Sequence, residues 1–141
     1  MAKSETDPKQ EAFQSTYMEL QMLEQHTKRV QQQLDMLQKQ ADELLNTKNH
    51  LTEIGAIANG KDILIPLAGG IFAKGTITNT YSLLVNVGAD VVLEKPVADV
   101  QRIIDEQITD IRAIETELNT QLEHVSTQSE KLTEDLRALA N

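Results

Sequence analysis

A glycine-containing middle segment decides the fold; it reads DILIPLAGGIFAKGTI at residues 62–77 and SLLVNVGADVVLEK at residues 82–95. Each part has two apolar runs around a short turn, at residues 68–70 in the first part and 88–90 in the second. Apolar runs joined by a short glycine-containing turn are typical of β-hairpins. We therefore predict two hairpins, whose four strands cover residues 62–67, 71–78, 82–87 and 91–94.

These strands are too few to cover their own apolar faces, and open apolar strands promote aggregation. Pro66 has no N–H to donate, so its strand is expected at a sheet edge, while Gly75 indicates a bulge or a close approach. We therefore expect the hairpins to serve oligomerisation. The residues expected to contact other subunits are Ile63, Ile65, Leu67, Ile71, Leu83, Val85, Val87, Val91 and Leu93.

Long glycine-free stretches flank the middle segment, because all six glycines lie between positions 55 and 88. Glycine weakens helices and proline breaks their interior, so this distribution predicts two long helices. The first is expected to be capped by Asp7 and to stop near Asn59-Gly60. The second is expected to begin near Pro96, with Asp99 in its first turn.

Both predicted helices carry a heptad pattern, and the positions of this pattern are called the seam below. In the first helix the seam consists of Phe13, Thr16, Leu20, Leu23, Thr27, Val30, Leu34, Leu37, Ala41, Leu44, Lys48 and Leu51. In the second helix it consists of Val97, Gln101, Ile104, Ile108, Ile111, Glu115, Leu118, Leu122, Val125, Ser129, Leu132, Leu136 and Leu139. The polar Lys48, Glu115 and Ser129 are interpreted as setting the register or loosening the packing, and Val100, Ile103 and Ile114 are expected to widen the seam.

The two seams are expected to pack on each other, because the middle segment returns the chain to where it left and the helices are similar in length. Pairing of each seam with another chain is the open alternative. The sequence thus predicts a mostly α fold: an antiparallel two-helix coiled-coil hairpin with two β-hairpins at its closed end. We treat it as one domain in three parts, residues 1–60, 61–95 and 96–141.

Composition excludes several classes of function. With 22 acidic and 13 basic side chains, the net charge of −9 leaves no basic surface for nucleic acid. The chain has no cysteine, and His26, His50 and His124 stand apart without a metal-binding motif. The spacing of Gly70 and Gly75 matches a P-loop, but the required lysine is missing. We therefore predict no catalytic, cofactor or metal site, and no enzyme.

A membrane or secreted location is also not expected. The longest uncharged apolar stretch, Ile63 to Ala73, is shorter than the ~20 residues of a membrane helix. Residues 1–14 show no signal-peptide pattern. The sequence predicts a soluble, cytoplasmic protein without a membrane partner.

The arrangement of these motifs resembles the α-class subunit of prefoldin. The resemblance rests on DILIPLAGGIFAKGTI and LLVNVGADVVLEK between two heptad helices, and the presence of two hairpins rather than one points to the α class. One departure is Lys95-Pro96 before the second helix, where a Ser or Thr cap would be expected. The resemblance implies an intersubunit β-barrel that joins two α and four β subunits in a hexamer. It also implies ATP-independent capture of non-native proteins at coiled-coil tips and their transfer to a group II chaperonin.

On this interpretation the tip lies at the end of the helix pair that contains both chain termini. Apolar side chains outside the seam are best suited to hold a client, and methionine adapts to varied partners. The expected client-binding residues outside the seam are Tyr17, Met18 and Met22. The seam residues expected to join them where the last turns splay apart are Phe13, Leu20, Leu132, Leu136 and Leu139. The alternative is a structural coiled-coil adapter that links fixed protein partners, although an adapter has no need of the two hairpins.

Overall fold

The computed structural model describes residues 7–57 and 60–141, so Asn59 of the predicted helix stop lies outside the described residues. Along the chain, four short strands lie between two long helices, as the sequence predicts. In chain order the elements are α1 (Pro8–Ala56), β1 (Asp62–Ala68), β2 (Ile71–Thr76), β3 (Ser82–Asn86), β4 (Val92–Pro96) and α2 (Val97–Ala140).

The first turn of α1 is capped as predicted. The Asp7 carboxylate accepts a hydrogen bond from the backbone N–H of Lys9 at 3.1 Å. The Asp7 carbonyl accepts from the N–H groups of Gln10 and Glu11 at 2.9 and 3.1 Å. These bonds satisfy N–H groups that have no partner within the helix, and Pro8 in the first position has no N–H to satisfy.

α2 begins at Val97, next to the predicted start at Pro96, and has Asp99 in its first turn as predicted. β4 runs two residues further than predicted, to Pro96, so the helix follows the strand without a loop. Pro96 pairs with Ser82 in the β3–β4 ladder. The N–H of Val97 then donates to the Tyr81 carbonyl at 3.0 Å. A backbone carbonyl thus satisfies the first N–H of the helix, so the missing Ser or Thr cap does not leave that group without a partner.

The strands form two separate two-stranded antiparallel sheets, β1–β2 and β3–β4. Gly69 and Gly70 have φ values of +54° and +81°, which fit the tight turn that joins β1 to β2. Gly75 is a close approach and not a bulge: a Cβ there would lie 2.8 Å from the Ile65 Cδ1. The ladder irregularity falls between Pro66 and Ala68 instead, directly after the residue that lacks an N–H.

The chain divides into two compact units, one with residues 7–39 and 112–141 and the other with residues 40–57 and 60–111. In the first unit one groove is lined by Leu23 and Leu132, and the next along α1 by Thr27 and Leu122, so the helices run antiparallel. In the second unit the Nζ of Lys48 on α1 lies 2.7 Å from the Oδ1 of Asp105 on α2.

Burial follows the predicted heptads. Every seam position of both helices is buried or half-buried except Phe13. The buried apolar residues of the described chain all belong to the seam: Val30, Ala41, Leu51, Ile104 and Val125. Val100 and Ile103 are half-buried beside it as expected, but Ile114 is 46% exposed and does not widen it. Within the described residues, neither helix has the length and apolar content to span a membrane.

Candidate functional site

Four apolar side chains are exposed between residues 13 and 22 of α1, in the first unit. They are called the terminal patch: Phe13, Tyr17, Met18 and Met22, with exposed fractions of 38, 48, 63 and 67%. Phe13 with Tyr17 and Met18 with Met22 are each four residues apart, so each pair lies on one face of the helix. This spacing makes two short apolar stripes rather than scattered single residues.

The other four predicted client-binding residues occupy a different environment. Leu20, Leu132, Leu136 and Leu139 are half-buried within the seam, where they pack between the helices. The structure therefore brings all eight residues into one unit but presents only half of them at the surface. The four leucines would reach a ligand only if the helices separated locally.

An open groove runs between the two helices next to the terminal patch. Its lining residues are Glu19, Met22, Leu23, Gln128, Lys131, Leu132 and Asp135. Leu23 and Leu132 belong to the seam, while Met22 links the groove to the terminal patch. Both acidic and basic groups line it, so it presents apolar surface beside mixed charge.

The hairpins expose many apolar side chains close together in sequence. Of the nine predicted subunit-contact residues, Ile63, Leu83 and Val85 are half-buried. The other six are between 43 and 65% exposed: Ile65, Leu67, Ile71, Val87, Val91 and Leu93. Among residues 7–57 and 60–141, none covers these strands to the degree that the seam is covered.

The sequence-based prediction missed the second face of each hairpin. In the register of the ladders, Leu64 and Phe72 lie on the face opposite to Ile63 and Ile65, and Leu84 and Val92 share a face in the other hairpin. These four side chains are 53–76% exposed. The sequence does indicate this second face, because polar and apolar residues do not alternate in runs such as LLV and VVL. Consecutive apolar residues place apolar side chains on both faces, which is typical of strands covered on two faces.

The link between the hairpins is held by a local hydrogen-bond network. The Asn79 Oδ1 accepts from the Tyr81 N–H at 2.9 Å, and the Asn79 Nδ2 donates to the Ser82 Oγ at 3.1 Å. The Ser82 hydroxyl donates to the Glu94 Oε1 at 2.7 Å. This network fixes the start of β3 and leaves the Tyr81 ring 78% exposed beside it.

Polar seam residues make two different kinds of ion pair. Lys48 reaches across to Asp105 on the other helix, whereas Glu115 pairs within α2, with its Oε2 3.3 Å from the Arg112 Nη1. The Glu115 side chain is 15% exposed, and its Oε1 is buried without a hydrogen-bond partner in the described part of the chain. Leaving a buried acceptor unpaired destabilises the fold, so Glu115 weakens the seam locally.

No cluster of three or more His, Asp or Glu side chains that could hold a metal occurs among residues 7–57 and 60–141. Among the described residues, exposed large apolar side chains are grouped in the terminal patch and on the hairpins, whereas Met36, Leu45 and Ile114 are exposed singly along the helices. Such an arrangement suits contacts with other proteins.

Comparison with known proteins identifies this arrangement. The family model described as prefoldin subunit matches residues 23–141, which is most of the chain. The chain belongs to the prefoldin family. Prefoldins are chaperone subunits rather than enzymes, and prefoldin subunits assemble with one another into oligomers.

Its similar relatives include prefoldin α subunits from archaea, which confirms the predicted α-class resemblance. The prefoldin subunit alpha of Methanococcus aeolicus is 29% identical over 126 residues, covering 89% of this chain and 85% of the relative. That of Methanococcus maripaludis strain C5 is 31% identical, covering 86% and 77%. That of Archaeoglobus fulgidus is 26% identical, covering 84% and 87%.

A solved structure shares the fold. It is the cryo-EM structure of filamentous PFD from Methanocaldococcus jannaschii, with a TM-score of 0.74 and 14% identity over 83% of this chain and 97% of that one. At this identity the likeness concerns the fold of prefoldin only. It confirms two long helices with two small antiparallel hairpins that do not close a barrel within a single chain.

Proposed function

We propose that this chain is the α subunit of an ATP-independent prefoldin holdase, composed of two α and four β subunits. The holdase captures non-native proteins and transfers them to a group II chaperonin in the cytoplasm. Residues 61–95 assemble the complex, and the helical parts 1–60 and 96–141 form one of its coiled coils. The proposal assigns no cofactor, metal or nucleic acid to the complex.

The assembly step is supported by the exposed hairpins. Leu67 and Ile71 flank the turn between β1 and β2 and are 65 and 64% exposed. Leu84 on β3 is 76% exposed. Covering apolar surface of this kind stabilises association by about 25 cal/mol for each Å² removed from water. Edge strands with unpaired N–H and C=O groups add a means of joining strands from other subunits into one barrel.

The capture step is supported by the terminal patch. Outer positions of a coiled coil are ordinarily polar, so adjacent Tyr17, Met18 and Met22 at such positions are unusual. Methionine has a flexible, polarisable side chain that adapts to irregular apolar partners. A client protein without a fixed shape is a partner of this kind.

The observation that carries the proposal is that each unit has an exposed apolar surface of its own. One apolar surface lies on the hairpins of the second unit, and the other lies on α1 in the first unit. One is assigned to fixed subunits and the other to changing clients. An adapter that links fixed partners is the competing function, and it predicts binding of defined proteins only.

A truncation separates the two steps. Removing residues 1–22 and 130–141 deletes the terminal patch and leaves every strand in place. We expect the shortened chain to form the same hexamer with β-type subunits by native mass measurement, but to lose suppression of client aggregation. Aggregation assays with several unrelated unfolded proteins distinguish a holdase from an adapter. Undiminished holding by the truncated complex would overturn the assignment of the patch.

A further inference from the structure

We infer that Met18 and Met22 form a redox-sensitive modification site, at which conversion to methionine sulfoxide weakens the capture of clients. The inference rests on the proposed function, because it concerns regulation of the same surface. Both side chains lie in the terminal patch and are 63 and 67% exposed. Being four residues apart on α1, they lie on one face of the helix.

The composition directs oxidation to these side chains. The chain has no cysteine and no tryptophan, so thioethers are its most readily oxidised groups. It has four methionines, and Met1 lies outside the described residues. Met36, the remaining one, is 62% exposed, and it lies about 21 Å further along the helix at 1.5 Å per residue.

The chemistry requires a peroxide as the oxidant. The thioether sulfur attacks one oxygen of hydrogen peroxide, and an S–O bond forms as the O–O bond breaks. The second oxygen leaves as hydroxide and takes the proton of the transferred oxygen, so the products are the sulfoxide and water. The sulfur is oxidised by two electrons and the peroxide is reduced. The product is a polar sulfoxide that binds water strongly, in place of a side chain that contacts apolar surface. A methionine sulfoxide reductase reverses the change.

Exposure governs the rate of this reaction, and position governs its effect. All three described methionines are similarly exposed, so each should be oxidised. Only Met18 and Met22 lie in the terminal patch, with Met22 also lining the groove beside Leu132. Oxidation of Met36 should therefore leave client capture unchanged, which makes it a matched internal control.

The test uses the full chain, oxidised with hydrogen peroxide before assembly so that the β-type subunits are never exposed to it. After the peroxide is removed, the chain is assembled and titrated against a chemically unfolded test protein. Peptide mass spectrometry verifies oxygen addition at Met18 and Met22, and native mass verifies unchanged assembly. Wild type should need about tenfold more complex for the same suppression of aggregation.

The variants make the result specific. Met18→Leu with Met22→Leu keeps apolar side chains that peroxide does not attack, so its holding should stay within about twofold after treatment. Met36→Leu should remain as sensitive as wild type, and the reductase should restore wild type. Equal loss of holding in the Met18→Leu, Met22→Leu chain would overturn the inference, as would full holding by wild type with both sulfoxides present. Failure of untreated wild type to hold clients would instead overturn the proposed function, and the inference with it.

Discussion

The helix pair and the β-hairpins differ in how far their apolar side chains are buried within the chain. Along the helices, nearly every seam position is buried or half-buried by the opposite helix of the same chain. In the hairpins, no strand residue is buried, and Leu84 is 76% exposed. The helices thus cover most of their seam within the chain, whereas the hairpins leave apolar surface exposed that the proposed assembly would cover. One short chain thus combines a helix pair that buries its own seam with hairpins whose apolar side chains stay at the surface.

The largest effect is expected from charges on the hairpins. Leu67→Asp together with Ile71→Asp should weaken assembly with β-type subunits at least about a hundredfold, because each carboxylate would be desolvated in the interface. Both side chains are well exposed in the single chain, so its helical circular dichroism should not change. Native mass measurement checks the assembly. Met36→Asp introduces a charge at a similarly exposed helix position and should assemble normally.

A substitution within the seam should lower the stability of the folded chain, whereas the hairpin substitutions should weaken its assembly. Leu51 is 7% exposed, and Leu51→Ala should lower the free energy of unfolding by about 2–4 kcal/mol. Leu45 on the same helix is 37% exposed, and Leu45→Ala should cost less than about 1 kcal/mol. Denaturant titration of the two variants gives the comparison. Equal losses would show that the seam is not the core of the helix pair.

A smaller effect is expected from Glu115, a polar seam residue whose replacement should raise the free energy of unfolding. Glu115→Leu removes a buried oxygen that lacks a partner among the described residues and adds apolar surface. We expect the free energy of unfolding to rise by about 1 kcal/mol. Glu117→Leu, at an exposed position on the same helix, should change it by less than about 0.5 kcal/mol. A lower melting temperature for Glu115→Leu would contradict this account of Glu115.

The smallest effect is expected in the turn between β3 and β4. Ala89 has φ +49°, a left-handed conformation that is strained for a residue with a Cβ. Ala89→Gly should therefore stabilise the assembled protein by roughly 0.5–1 kcal/mol. The adjacent Gly88 N–H donates to the Asn86 Oδ1 at 2.9 Å and should keep the turn in place. Hydrogen exchange of the β3 and β4 amides measures the gain, and faster exchange would argue against it.

The elements could be predicted because their signals are local. Heptad spacing identified the seam, and glycine positions identified the turns. Pro96 predicted the start of α2 to within one residue, but the partner of the first helical N–H could not be predicted locally, because the Tyr81 carbonyl lies in the link between the hairpins. Ile114 fits an apolar pattern near the seam, yet it turns outward, since a small angular offset on a helix decides burial.

The candidate surfaces were predicted only in part. The terminal patch followed from Tyr17, Met18 and Met22 lying outside the seam, whereas Leu132 and its neighbouring leucines are half-buried within it. On the hairpins, the predicted contact residues in the ladders lie on one face of each sheet. Leu64 and Leu84 lie on the other face, which is also apolar. A single sequence does not determine which apolar face meets which subunit, since that depends on residues of the other chains.

Hydrogen exchange before and after assembly tests the difference between the two regions most directly. In the chain alone, amides beside buried seam residues such as Val30 and Ile104 should exchange slowly, while those of β1 to β4 exchange fast. On mixing with β-type subunits, the strand amides should become protected by about a hundredfold or more and the helical amides should change little. Strands already protected in the chain alone, or still unprotected in the assembled complex, would contradict the account.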